Sequence, residues 1–138
     1  MQQKKAYLID TNVILRFLLN DIPDQANKAK YFLEKIENGV EKAYLTELIL
    51  SECIWVLEKF YKIPKKEIIS KIKSLILFEG FITQTSKTLL LEALNLWDNI
   101  NIDWTDAFLS AFSKEEHLPI VSFDTDFDKI SEVKRKIP

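Results

Sequence analysis

Short apolar runs alternating with longer amphipathic segments predict a three-layer α/β/α sandwich around a central, mostly parallel sheet. Two further observations support that class. Only two glycines and four prolines occur in 138 residues, which leaves little material for flexible linkers and favours long helices joined by tight connections. A composition of 47% hydrophobic and 29% charged residues at 16.2 kDa suits one domain, residues 1–138, with a core of its own. Low-complexity segments and internal repeats are absent.

The elements follow from periodicity. AYLID (6–10) is a short strand ending at an acid, and VILRFLLND (13–21) repeats its apolar residues at helical spacing, with Thr11 or Asn12 as cap. Pro23 opens a second helix that Gly39 ends. KAYLT (42–46) is a strand, ELILSECIWVLEKFY (47–61) a long helix, and PKKEIISKIKSLILF (64–78) another, closed near Gly80. FITQ (81–84) is the third strand. KTLLLEALNLWDNIN (87–101) carries a broad apolar face, and TDAFLSAFSKEEH (105–117) a stripe of small residues, so both read as helices. PIVSF (119–123) is a buried strand, and the tail DFDKISEVKRKIP (126–138) holds one helical turn and a short edge strand.

Cys53 is the single cysteine, so no internal disulfide forms. MQQKK at the start, followed by four apolar residues before Asp10, is no signal sequence, and the most apolar stretch is interrupted by Glu52 and Glu58. A cytoplasmic protein without a membrane span is expected. With a net charge of −2 and a pI near 5.5, any nucleic-acid contact must come from a local basic patch.

Four acidic words punctuate this pattern: LIDTN (8–12), LSEC (50–53), IDWTDAF (102–108) and VSFDTDF (121–127). Each places a carboxylate inside or beside an apolar segment, where an unpaired charge is costly to bury. In open parallel sheets functional groups gather beyond the carboxyl ends of strands, which is where Asp10 and Asp124 fall. Glu52 lies on a helical stripe with Leu48, Ile49, Trp55 and Val56 as neighbours, and Asp106 opens a helix at the favourable end of its dipole. Each also has a plainer reading. Asp103, Thr105 or Asp106 fits a helix cap, Asp10 a cap or turn, Glu52 a salt-bridged helix residue, and Asp124 and Asp126 turn formers. Their joint placement favours one shared site.

Two carboxylates 4 Å apart repel by on the order of 4 kcal/mol at an effective dielectric near 20, so such a cluster calls for a cation. All-oxygen ligands without His or Cys companions suit Mg²⁺ or Mn²⁺, which activates water for attack at phosphorus and neutralises charge on the phosphate. Phosphodiester hydrolysis follows from that chemistry.

In this order the acidic words resemble the PIN-domain nucleases, and the short length most resembles the VapC-type toxin ribonucleases of bacterial and archaeal toxin–antitoxin pairs. The resemblance spans essentially the whole chain. It rests on Asp10–Thr11–Asn12 after the first strand, Glu52 in SECIWVL, Asp106 in DAFLSAF with Asp103 three residues earlier, and Ser122, Asp124, Asp126 and Phe127 after a buried strand. The resemblance implies a PIN-like fold and a metal-dependent endoribonuclease, a hydrolase of RNA, acting as the toxin of a type II pair. It implies Mg²⁺ or Mn²⁺ on the catalytic acids Asp10, Glu52, Asp106 and Asp124, with Asp126 as a further metal ligand. Thr11, Asn12, Ser122 and Asp103 fall into supporting places. A homodimer and a small cognate antitoxin, whose tail occupies the acidic cleft, are implied as partners.

Two other functions fit parts of the pattern. A phosphotransfer domain forming an aspartyl phosphate also places acids beyond parallel strands, but DTN lacks the second acid of a DxD pair. A non-catalytic PIN-like binding module would be marked by loss of an acidic ligand, and all four are retained. Among the remaining residues, His117 suits a helix end, Cys53 a buried structural thiol, and Trp55, Trp97 and Trp104 packing, with Trp104 alternatively against a substrate base. Arg16, Lys129, Lys134, Arg135 and Lys136 are candidate phosphate contacts or a solvated face, and helices 64–78 and 87–97 carry apolar surface suited to a subunit or partner groove or, equally, to internal packing.

Overall fold

A computed structural model describes residues 5–138, so the first four residues of MQQKK lie outside the described residues. Backbone contacts gather the chain into two compact units, one running to Thr85 and the other from Ser86 onward.

The first unit is built on three parallel strands, β1 (Tyr7–Leu8), β2 (Ala43–Tyr44) and β3 (Phe81–Ile82), in the order β1-β2-β3. Tyr7 pairs with Ala43 and Ala43 with Phe81, so the small, fully buried Ala43 sits at the sheet's centre. Between β1 and β2 run α1 (Thr11–Leu19) and α2 (Pro23–Glu37). Asp10, rather than Thr11 or Asn12, caps α1: its backbone is extended and its carboxylate accepts the Thr11 N–H, so Thr11 is already helical. Asn20 ends α1 in the left-handed conformation, which asparagine tolerates. Pro23 fills the first turn of α2, where its missing N–H costs nothing, and Ala26, Ala29, Leu33 and Ile36 form the buried stripe.

Thr46 caps α3 (Glu47–Trp55) through its hydroxyl, and the helix widens directly into a π-helical segment, Val56–Phe60, closed by the Tyr61 N–H on the Val56 carbonyl at 3.1 Å. After Pro64, α4 (Lys65–Ile76) buries Ile68, Ile72, Leu75 and Ile76. At Gly80 a side chain would collide with the carbonyls of Glu41 and Ile36, the latter already accepting the Gly80 N–H at 2.7 Å. Glycine is therefore required where the chain enters β3.

In the second unit, α5 (Lys87–Asn99) packs on α6 (Trp104–Glu116). The stripe of small residues does what its composition predicts, burying Ala107, Ser110 and Ala111 where a neighbouring helix approaches closely. Trp97 and Trp104 meet edge to face with centroids 6.0 Å apart. His117 ends α6 in the left-handed conformation. Strand β4 (Ile120–Val121) pairs in parallel with β5 (Arg135–Lys136), and a 3-10 turn, Thr125–Lys129, lies between them.

Ile68 and Ile72 of α4 and Leu89, Leu90, Leu94 and Trp97 of α5 are all buried, which is the internal packing that the sequence offered beside a partner groove. No helix among the described residues is long and apolar enough to cross a membrane.

Candidate metal centre

The second unit brings three of the predicted acids together. One carboxylate oxygen from each of Asp106, Asp124 and Asp126 lies within 4.8 Å of the others. Asp106 stands in the first turn of α6, and Asp124 and Asp126 at the start of the 3-10 turn after β4. Local hydrogen bonds set the loop: Ser122 Oγ accepts the Asp124 N–H at 2.9 Å, and Asp124 Oδ1 accepts the Asp126 N–H at 2.8 Å. Asp124 is thus both a turn former and a member of the cluster.

Burial, and then the charges of Asp124, Asp103 and Asp126, raise the pKa of Asp106 above the usual carboxylate range. Lys129 offsets part of the charge through Asp126, 3.0 Å away, while also donating to the Asn101 carbonyl. Three oxygen donors that repel one another, on half-exposed and exposed side chains, fit a hard divalent cation. Asp103 occupies the cap position of α6 with its backbone alone, since its side chain makes no capping bond. It reaches the cluster as a nearby charge.

In the first unit, Asp10 and Glu52 are linked through Thr11. The Thr11 N–H donates to Asp10 Oδ1 at 2.9 Å, and its buried hydroxyl donates to Glu52 Oε2 at 2.8 Å. Glu52 is exposed, so Thr11 rather than burial orients it. The adjacent Cys53 thiol is pushed up to about 12 by burial and by the charges of Glu52 and Asp10, which suits an inert structural cysteine. Asp10 and Asn12 open onto a mostly apolar cleft of about 500 Å³ walled by Leu8, Val13 and Phe32.

A model of the PIN domain matches residues 7–133, nearly the whole chain and both units. This chain belongs to the PIN-domain family. It is also similar to a VapC ribonuclease of Aquifex aeolicus (strain VF5), at 26% identity over 124 residues that cover 89% of this chain and 90% of the relative. Membership carries the α/β/α class expected from the alternating elements, and every strand pair in this PIN domain is parallel among the described residues.

Two cations of the PIN domain are committed elsewhere. Arg135 binds Asp128 through two nitrogens at 3.0 Å each and donates to the Ser122 carbonyl, a pairing that lowers the Asp128 pKa and raises that of Arg135. Arg16 is held by Asp21 and the Tyr61 hydroxyl. Those two brace the fold, whereas Lys134 and Lys136 remain exposed. The packing reading holds for Trp97 and Trp104, and the burial of Trp104 removes its alternative as a base contact. Trp55 is the correction: it is 61% exposed, because α3 is apolar on nearly all sides and only one side is covered. Sequence reasoning did not foresee Lys129 against Asp126, although an i, i+3 spacing of opposite charges was available as a signal.

Proposed function

We propose that this chain is a divalent-metal-dependent endoribonuclease and the toxin of a type II toxin–antitoxin pair. The convergence of Asp106, Asp124 and Asp126 carries the reading. It is supported by the likeness to a VapC ribonuclease over nine-tenths of both chains.

In this proposal residues 1–138 act as one nuclease domain, and Asp10, Glu52, Asp106 and Asp124 serve a single centre with Asp126 as an additional ligand. The family match across both units supports that grouping. Mg²⁺ or Mn²⁺ in the centre supplies water activation and neutralises charge on the phosphate. The protein's own contribution is orientation. Thr11 aims Glu52, Ser122 and the Asp126 N–H fix the Asp124 loop, and Asn12 and Asp103 lie beside ligands as hydrogen-bonding and electrostatic support. A bound cation offsets the repulsion from Asp124, Asp103 and Asp126 that, after burial, raises the pKa of Asp106.

The partners in this reading are RNA, a second copy of the chain and a cognate antitoxin, all in the cytoplasm. The apolar cleft beside Asp10 and Asn12 supports the antitoxin, since an apolar peptide seated there lies next to an acidic ligand. The test is cleavage of an unstructured RNA by purified protein. Internal cuts appear with Mg²⁺ or Mn²⁺, stop with EDTA and return on metal addition. Cleavage that persists in EDTA refutes the reading.

A further inference from the structure

The π-helical end of α3 gathers features that the centre described above does not use. Trp55 is 61% exposed and Phe60 73% exposed, so both rings are open to solvent. Trp55 stands three residues after Glu52 and Lys59 four residues after Trp55, so the three follow one side of the helix. The switch to i to i+5 hydrogen bonding starts immediately after Trp55, and this wider turn carries Phe60, five residues on, back toward the Trp55 side. Residues 59–66 then hold four lysines and no acid, in a chain whose net charge is −2. Lys59 and Lys62 are exposed, and the contact of Lys59 with its neighbour Glu58, at 3.5 Å on the surface, exchanges readily for a phosphate.

We propose that Trp55 and Phe60, with Lys59 and Lys62, form a track for single-stranded RNA that leads to Glu52. This rests on the ribonuclease reading. Exposed aromatic faces interleaved with lysines are the chemistry of sequence-tolerant strand binding: the rings stack on bases while the ammonium groups follow the backbone. A second copy of the chain suits the same face less well. It would strip water from Glu52 and from the lysines, and the buried centre of a protein interface is depleted in both residue types. The track places a base platform one helical turn from a proposed metal ligand, which holds the strand near the reacting phosphate.

The experiment measures binding of a short, labelled, mixed-sequence single-stranded RNA to the full chain in EDTA, by anisotropy over a salt series. The variants are Trp55→Ala, Trp55→Phe and Lys59→Ala/Lys62→Ala, with Tyr31→Ala as an exposed aromatic off the track. Trp55→Ala weakens binding about tenfold and Trp55→Phe restores most of it. The double lysine variant lowers the slope of log affinity against log salt by between about one and two. Tyr31→Ala matches the wild type, and thermal melting shows all variants folded. The track is overturned if Trp55→Ala binds within twofold of wild type, or if the wild type does not bind at low salt. It is equally overturned if sedimentation shows Trp55→Ala breaking a dimer while RNA affinity per protomer stays unchanged, which assigns the face to a second copy. Track-dependent binding without Mn²⁺-dependent cleavage refutes hydrolysis and leaves the track standing. Cleavage with unaltered binding in the variants does the reverse.

Discussion

Replacing Asp106 by Asn removes one charge from the cluster while keeping its shape. With oxygens up to 4.8 Å apart, each carboxylate pair repels by about 3.5 kcal/mol at an effective dielectric of 20 and about 0.9 kcal/mol in water. Asp124 is exposed and Asp126 half-exposed, so screening puts each pair near the lower figure. Relief of two pairs, less what the loss of a first-turn acid costs α6, leaves a gain of about 1 kcal/mol, or a Tm rise of about 3 °C for a chain of this length. The sign follows from the raised pKa of Asp106. The folded wild type holds that proton more tightly than the unfolded chain, so its stability advantage is present below the ordinary carboxylate pKa and is lost as pH rises through the raised value. In EDTA, Asp106→Asn therefore melts above the wild type at neutral pH, and the gap closes as pH falls through that window. With Mn²⁺ added the order reverses, because only the wild type gains full binding energy. A variant less stable than wild type in EDTA at neutral pH would refute the reasoning and make Asp106 a structural cap.

Three further outcomes are expected. Thr11→Val removes the hydroxyl that aims Glu52, so RNA turnover falls about tenfold while stability falls by only about 1 kcal/mol, measured by cleavage kinetics beside thermal melting. Gly80→Ala forces a methyl into two backbone carbonyls and costs on the order of 3 kcal/mol, read from denaturant midpoints; a loss below half of that would contradict the close approach. Cys53, protonated until about pH 12, resists thiol reagents in the native protein at mildly alkaline pH and reacts only as the chain unfolds.

The first four strands and the helices were legible because each of those strands lies in a short apolar run and each helix carries its own punctuation, as Pro23 and Thr46 show, although β4 is not the buried strand expected, with Val121 62% exposed, and β5 is the basic pair Arg135–Lys136. Asp106, Asp124 and Asp126 were legible as partners because acids beside apolar segments need a common reason, and the structure brings those three together. Orientation on α3 was not. Leu48, Ile49, Leu50, Cys53, Ile54, Trp55, Val56 and Leu57 surround the helix, so periodicity could not say that Leu50, Cys53, Ile54 and Leu57 face inward and Trp55 outward. The π-helical segment has no local signal either, since its hydrogen bonds depend on how the following turn packs. Pairings across the fold, such as Thr11 with Glu52 and Arg135 with Asp128, depend on side-chain reach and became visible only in three dimensions.

The central claim is that these acids form a divalent-cation centre that hydrolyses RNA. Wild type and Asp106→Asn, both shown folded by thermal melting, should be compared on one RNA with Mn²⁺ and with EDTA. Cleavage by the wild type with Mn²⁺ alone, and loss of at least two orders of magnitude in the variant, is the predicted result. Equal cleavage by both proteins, or cleavage by both in EDTA, would contradict the account.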